Sequence, residues 1–205
     1  MSRTYRLRIP APCGHLQVAV NDPVSERRGV ALIAHPHPLH GGSLNNKVVQ
    51  TLAKAFSSLN YVAVRPNFRG VGDSDGVHDY GKGEVDDMQA VAAFARQQFD
   101  LPFVLAGFSF GAFVQCQLAQ RLKPEKLVLV APPVNMYDFS SVPEHTIVIQ
   151  GERDEVVPVG AVRLWAREHN ANLKIAPATD HFFHGKLELL QTLLLSAWPS
   201  STPPS

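Results

Sequence analysis

The apolar residues of this chain occur in short runs rich in Val, Ile and Leu, and turn residues usually separate each run from a longer stretch of helical period. Short runs of this kind are typical of buried β-strands, and the longer stretches are typical of amphipathic helices. We predict strands at residues 5–9, 16–20, 30–35, 61–66, 103–108, 126–131, 146–151 and 173–177. We predict helices at residues 45–59, 83–98, 110–122, 159–169 and 186–196.

The alternation of strands and helices predicts the arrangement of the sheet. A strand followed by a helix and another strand forms a βαβ unit, which places the two strands parallel to each other. The first two strands are separated by the short segment "PAPCGH" and have no helix between them. We therefore predict an α/β fold with a mostly parallel sheet and an antiparallel hairpin at one edge.

Length and composition favour one globular domain. The chain has 205 residues, of which 45% are hydrophobic and 18% are charged, so it can bury a substantial core. We assign residues 1–197 to this domain. The last eight residues, "WPSSTPPS", contain three prolines, and we predict that residues 198–205 are disordered.

The charge balance points to a small-molecule partner. The 19 basic and 18 acidic residues leave a formal charge of +1 without a long run of either sign, so we expect neither nucleic acid nor a membrane surface as partner. No stretch approaches a membrane span, and the first residues lack the apolar segment of a secretory signal. We expect a cytoplasmic monomer or homodimer. The two cysteines show no metal-binding spacing, and we expect no cofactor and no metal.

The segment "GFSFG" places Ser109 between a predicted buried strand and a predicted helix. A G-x-S-x-G pattern in this context is typical of a nucleophile elbow, which lifts a strained serine above the sheet edge. Gly107 and Gly111 leave room for the sharp turn, and the backbone N–H of Phe110 begins a helix whose positive end would stabilise an oxyanion. The alternative interpretation is a serine that serves only as a helix cap.

A nucleophilic serine needs a carboxylate that orients its base, and both partners should follow later strands of the same sheet. The segment "TIVIQGERDEVVP" ends a predicted strand at Gly151 and brings Asp154 three residues later. Glu152 and Glu155 are chemical rivals of Asp154. The apolar residues that follow Asp154 indicate that the chain folds back inward there, so we choose Asp154 as the orienting acid.

The base is sought after the last predicted strand, in "APATDHFFHG". His181 follows that strand closely and is flanked by Phe182 and Phe183, which would exclude water from it. His184 is the rival base, and it stands at the start of the next predicted helix. We choose His181, and we interpret the neighbouring Asp180 as a turn or cap residue.

The loop "IAHPHPLHGGSLNNK" follows the third predicted strand and is the place for a second oxyanion donor. Pro36 and Pro38 have no N–H group, so the donor is the backbone of His37 or of Leu39. We choose His37 because it lies closer to the end of the strand. The alternative is that the histidines of this loop only brace it.

Five separated motifs, "HPHPLHGG", "NFRGVGDSDG", "GFSFG", "GERDEVVP" and "DHFFHG", together resemble the α/β-hydrolase superfamily, and more narrowly its small, lidless bacterial serine hydrolases. The resemblance runs from about residue 15 to residue 196. It implies a three-layer α/β/α sandwich with an eight-stranded, mostly parallel sheet. It also implies a catalytic triad of Ser109, Asp154 and His181.

Two departures from the family pattern bear on this interpretation. Asn67 stands where many relatives have aspartate, in a loop that is usually structural, so we do not assign it a catalytic role. The segment between the strand at 126–131 and Gly151 is too short for a helical cap domain. We therefore expect an open active site.

These features predict a serine hydrolase that cleaves carboxylic esters or thioesters of short to medium acyl groups. Pro132, Met136, Val157 and Phe182 are our candidates for the apolar substrate cleft. One alternative is a non-catalytic ligand-binding protein on the same fold. Another is a metal-dependent hydrolase that uses the histidine-rich loops, although Leu39 occupies the position where an HxHxDH motif requires aspartate.

Overall fold

The order of strands and helices along the chain follows the apolar pattern. The computed structural model describes residues 3–23, 26–139 and 141–198. The strands are β1 (Arg3–Ala11), β2 (Gly14–Asp22), β3 (Gly29–Ala34), β4 (Tyr61–Pro66), β5 (Phe103–Phe108), β6 (Lys126–Val130), β7 (Ile147–Gly151) and β8 (Asn172–Ala176). The α-helices are α1 (Lys47–Ser58), α2 (Lys82–Phe99), α3 (Phe110–Leu122), α4 (Val159–Glu168) and α5 (Leu187–Ala197), and a short 3-10 helix covers Pro38–His40.

Each predicted strand and helix is present, and the first two strands differ most from their predicted bounds. Both extend over nine residues, because their backbones pair from Arg3 with Asp22 to Ala11 with Gly14. Backbone pairing does not require apolar side chains, so the ladder continues through polar residues that the apolar pattern leaves out.

The eight strands form one sheet in the order β1-β2-β4-β3-β5-β6-β7-β8. The strand β2 is antiparallel to both β1 and β4, and all other neighbouring strands are parallel. The prediction of an edge hairpin on a mostly parallel sheet is therefore confirmed. After β4 the chain crosses to the far side of β3 and enters β5, so the topological switch point lies between β3 and β5, where such sheets form a crevice at the carboxyl ends of the strands.

Both faces of the sheet are covered, which confirms the three-layer sandwich. The strand β3 shows how the alternation works: Val30 and Leu32 belong to one buried cluster, whereas Ala31 and Ile33 belong to the other. The first cluster includes apolar residues of α2, α3 and α4, and the second includes those of α1 and α5. The sheet thus has a hydrophobic core on each side.

The connection between β6 and β7 inserts no cap over the sheet. Its described positions, 131–139 and 141–146, contain no helix or strand. Across the described ranges of the chain, no helix is both long and apolar enough to cross a membrane.

The predicted tail needs one correction. Trp198 is only 9% exposed and packs edge-to-face on Phe56 and Tyr61, so the folded part extends at least to this residue. The ring buries apolar surface against α1 and β4, and composition alone does not reveal that contact. Residues 199–205 of the predicted tail lie outside the described residues.

We predict that Gly107→Ala destabilises the fold. A Cβ atom at this position would lie 2.3 Å from the carbonyl oxygen of Gly111 and 2.6 Å from the backbone nitrogen of Ala112. Backbone atoms cannot rotate aside as a flexible side chain can, so we expect a loss of about 1–3 kcal/mol in the free energy of unfolding. Urea unfolding followed by circular dichroism measures this loss.

The matched control is Gly160→Ala in α4. A Cβ atom there meets nothing within 4 Å, and the substitution should leave stability unchanged or raise it by about 0.4–1 kcal/mol. If both variants unfolded at the wild-type urea concentration, the close approach at Gly107 would not constrain the fold.

Candidate active site

Ser109 lies in a sharp turn between β5 and α3. Its φ of 53° and ψ of −120° fall in a region that residues other than glycine rarely adopt. Gly111 allows the turn to approach β3, because a Cβ atom there would lie 2.4 Å from the carbonyl oxygen of Ala34 and 2.5 Å from that of His35. The strained geometry predicted for the G-x-S-x-G segment is present.

A chain of hydrogen bonds joins Ser109, His181 and Asp154. The Nε2 atom of His181 lies 3.1 Å from the Oγ atom of Ser109, and its Nδ1 atom lies 2.7 Å from the Oδ2 atom of Asp154. A carboxylate accepts, so the Nδ1 atom carries the proton and Nε2 is left to accept the hydroxyl hydrogen of Ser109. The structure therefore brings together the three residues that the sequence identifies as a possible triad.

Asp154 is held from four directions. Its Oδ1 atom accepts the backbone N–H groups of Val156 (2.8 Å) and Val157 (2.7 Å). Its Oδ2 atom accepts the side-chain amide of Gln150 (2.9 Å) in addition to His181. Gln150 is not among the site residues predicted from the sequence, although a polar amide inside the apolar strand "TIVIQG", four residues before Asp154, is a signal that identifies it.

The rival carboxylates and the rival histidine have other partners or face solvent. Glu152 accepts the backbone N–H of Ala178, and Glu155 is exposed. His184 places its Nδ1 atom 2.7 Å from Asp180. Burial acts to raise the pKa of Asp180, but the hydrogen bonds from His184 outweigh it and hold the pKa below its usual value.

The backbone N–H groups of Phe110 and His37 are available as oxyanion donors. Neither donates to an acceptor within the described part of the chain. The N–H of Leu39, the alternative donor, is engaged by the Nδ1 atom of His37 at 3.2 Å. Phe110 also begins α3, so the positive end of the helix dipole lies beside Ser109.

His35 holds the peptide group that carries the N–H of His37. Its Nε2 atom accepts the backbone N–H of Phe68 at 3.0 Å, so the proton is on Nδ1, which lies 2.7 Å from the carbonyl oxygen of Pro36. That carbonyl and the N–H of His37 belong to the same planar peptide group. Burial lowers the pKa of His35 to about 4, because the charged ring would be shielded from water.

Ser109 opens into a cavity of about 160 Å³. The lining residues are Pro36, His37, His40, Gly41, Gly42, Asn46, Ser109, Val156, His181 and Phe182. Of the predicted substrate residues, Phe182 lines this cavity, but Pro132, Met136 and Val157 do not. Val157 is buried in the hydrophobic core, and its neighbour Val156 lines the cavity instead. The N–H groups of both residues donate to Asp154, which fixes the turn that separates their side chains.

The other two corrections follow from where the chain runs after β6. Pro132 is buried, and its carbonyl accepts the N–H of Val134 in a tight turn. Met136 is 56% exposed on the same segment. The cavity is lined instead by residues that are not among the predicted substrate residues, including the loop residues His40, Gly41 and Gly42 and also Asn46 at the start of α1.

The histidines around the cavity stack on one another and do not form a ligand set. The ring of His37 lies 4.5 Å from that of His40, 4.9 Å from that of His78 and 4.9 Å from that of Phe110. Burial lowers the pKa of His37, and the neighbouring His40 and His78 act in the same direction. No group of three or more His, Cys, Asp or Glu side chains that could hold a metal ion is found among the described residues.

Comparison with known families gives a match over about half of the chain. Residues 37–145 match the family model described as serine aminopeptidase, S33. That range contains Ser109 and the loop that starts at His37, and it ends before Asp154 and His181.

Longer matches come from individual proteins. An uncharacterised protein of Rickettsia prowazekii is 36% identical over 86% of this chain and 81% of its own length. A solved α/β serine hydrolase homologue from Coxiella burnetii is 40% identical with a TM-score of 0.89 and covers 94% of this chain and 96% of its own. A solved α/β serine hydrolase without a lid from Xanthomonas campestris is 41% identical with a TM-score of 0.91. The match covers 98% of this chain and 97% of the Xanthomonas chain.

We predict that His35 makes the folded protein sensitive to acid. The unfolded chain takes up a proton at the ordinary histidine pKa of 6.5, whereas the folded protein does so at about 4. Stability is therefore complete above pH 6.5 and falls as the pH drops toward 4, with about 3 kcal/mol lost from this group at pH 4. The free energy of unfolding in urea, measured at several pH values across this window, tests the prediction.

The His35→Asn variant removes the titrating ring and keeps an amide that can donate and accept. Its loss of stability between pH 6.5 and 4 should be shallower than that of the wild type. The control is His145→Asn at an exposed position, which should keep the wild-type slope. Parallel slopes in wild type and His35→Asn would contradict the assignment.

Proposed function

Because the chain belongs to the α/β-hydrolase superfamily, in its lidless branch of serine hydrolases, we propose that it cleaves carboxylic esters or thioesters of short to medium acyl groups. In this proposal Ser109 is the nucleophile, His181 the base and Asp154 the orienting acid. The single observation that carries it is the hydrogen-bonded chain from Ser109 Oγ through the His181 ring to Asp154.

The geometry supports a two-step acyl transfer. The Nε2 atom of His181 removes the hydroxyl proton while Ser109 Oγ bonds to the carbonyl carbon, and the proton then passes to the leaving alcohol or thiol. The carbon–oxygen or carbon–sulfur bond breaks and leaves an acyl-enzyme. A water molecule, deprotonated by the same histidine, releases the acid and restores Ser109.

The negative oxygen that forms in each step requires fixed donors. The N–H groups of Phe110 and His37 fit this role, because they have no acceptor in the described residues and both residues border Ser109 or its cavity. The tight bond from His35 to Pro36 would hold the second donor in place before the substrate arrives.

The cavity favours a small neutral acyl group. Its volume is about 160 Å³, and the described residues that line it include no carboxylate that could bind the amino terminus of a peptide. We therefore propose an ester or thioester in preference to the peptide substrate in the name of the matching family. Phe182, which is 49% exposed, forms an apolar part of the rim.

We predict that the purified protein hydrolyses esters or thioesters and that Ser109→Ala lowers the turnover at least ~10³-fold. The test is a panel of acyl esters and acyl thioesters of increasing chain length, assayed with both proteins. We expect the highest kcat/KM for the shorter acyl groups, because long chains extend beyond the cavity.

The matched control is Ser196→Ala, which removes an exposed serine hydroxyl on α5 and should leave turnover unchanged. Near-normal turnover by Ser109→Ala would overturn the assignment of the nucleophile. Saturable binding of these compounds without turnover would favour the alternative of a non-catalytic ligand-binding protein.

We predict that Asp154→Asn lowers kcat by about 10³–10⁴-fold with little change in KM. The amide group of asparagine would face either the N–H of His181 or the N–H groups of Val156 and Val157, and in both cases two donors would oppose each other. Steady-state kinetics on the best ester of the panel gives both constants. Glu155→Gln, at the exposed neighbouring acid, should keep wild-type kinetics; a similar loss in both variants would contradict the role of Asp154.

A further inference from the structure

A second cavity, of about 210 Å³, lies between α1 and the strands β2 and β4. The lining residues are Asn21, Gln50, Ala53, Lys54, Ser57 and Arg65. Two of them, Lys54 and Arg65, are cations, and none is an acid. This cavity shares no residue with the one at Ser109.

Arg65 is a buried cation without a counter-charge. It is 7% exposed, and none of the described carboxylates lies within ion-pair distance of its guanidinium. Burial lowers its pKa, and the nearby Arg6 adds to this effect. A buried charge that is not paired is costly, so an anion bound beside Arg65 would be stabilised by it.

The guanidinium group of Arg65 is held in place by two hydrogen bonds, and some of its N–H donors have no acceptor among the described residues. Its Nη1 atom donates to the carbonyl of Leu44 at 2.8 Å, and its Nη2 atom donates to the side-chain oxygen of Asn21 at 2.9 Å. A guanidinium has five N–H donors, and its Nε–H has no acceptor among the described residues. Two fixed bonds thus orient the group while donors remain for a ligand.

The other polar groups of the cavity wall divide into those with a hydrogen-bond partner and those without one. The hydroxyl of Ser57 is buried and has no hydrogen-bond partner in the described part of the chain. Asn21 and Gln50 already use their amides, toward Thr4 and toward the carbonyl of Asn45. Lys54 is exposed and makes no ion pair with a described residue. The groups of this cavity that keep donors without an acceptor among the described residues are therefore Arg65, Lys54 and the hydroxyl of Ser57.

We propose that this cavity binds a small molecule that carries an oxyanion, a phosphate or carboxylate group, with Arg65, Lys54 and Ser57 as its ligands. Planar guanidinium groups match the oxygen spacing of both anions, and ammonium and hydroxyl groups complete their coordination. The cavity volume exceeds that of a bare ion, so it leaves room for a larger molecule that carries the anion at one end. The site is separate from Ser109 and does not depend on the proposed hydrolase activity.

The test is calorimetric titration of the full chain with inorganic phosphate and, separately, with acetate, in chloride buffer at constant ionic strength. We expect saturable binding of at least one of the two anions. Tighter binding of phosphate assigns the site to phosphate-bearing ligands, and tighter binding of acetate assigns it to carboxylates. The absence of saturable binding for both anions would overturn the proposal.

Two variants locate the bound anion. Lys54→Gln should weaken binding about 10-fold, because a charge-assisted contact is lost. Ser57→Ala should weaken it about 3–10-fold, although removal of an unpartnered hydroxyl should leave the melting temperature in chloride unchanged or higher.

The melting temperature separates a binding role of Ser57 from a structural one, because a hydroxyl that only supported the fold would lower it when removed. The matched control is Lys82→Gln, at an exposed lysine of α2, which should bind the anion as the wild type does. Unchanged affinity in both Lys54→Gln and Ser57→Ala would place the anion elsewhere and overturn the proposal.

Discussion

The rest of the site depends on the close approach of three backbone segments around Ser109. The end of β5, the start of α3 and the end of β3 meet where Gly107 and Gly111 have no side chains. Because the carbonyls of Ala34 and His35 lie directly against Gly111, the loop after β3 starts beside the helix that follows Ser109. This contact brings a helix N-terminus and the peptide group of His37 to the same side of the sheet. A wider turn would separate the two donors even if each segment kept its own conformation.

The sequence predicts this arrangement because its determinants are local. All six residues of β5 are buried, as their uninterrupted apolar run indicates, and the polar residues of interest follow directly after strand ends. Parallel strands bring their carboxyl ends to one edge, so Ser109, Asp154 and His181 converge without any information about distant contacts. Even the choice between His181 and His184 depends on which residue follows β8 more closely.

What the sequence does not predict depends on contacts that the order of apolar and polar residues does not reveal. The direction in which Val156 and Val157 face is decided by the carboxylate of Asp154, and the packing of Trp198 is decided by Phe56 and Tyr61. The three histidines of the loop after β3 look equivalent in the sequence. They differ in the structure because the backbone N–H of Phe68 reaches only the ring of His35, which becomes the brace, whereas His37 and His40 line the cavity.

The burial of two of these histidines, His35 and His37, affects the charge that they carry beside Ser109. Burial lowers the pKa of both His35 and His37, so these rings are neutral near pH 7 and add no charge beside Ser109. A base that accepts a proton must itself be neutral, and an oxyanion hole that relied on charged imidazole rings would lose its charge as the pH rose to suit the base. Backbone N–H groups and the dipole of α3 do not titrate. Under the proposed mechanism, a site built from them keeps its field whatever the protonation state of the neighbouring histidines, which reconciles a loop rich in histidine with an oxyanion hole made of peptide groups.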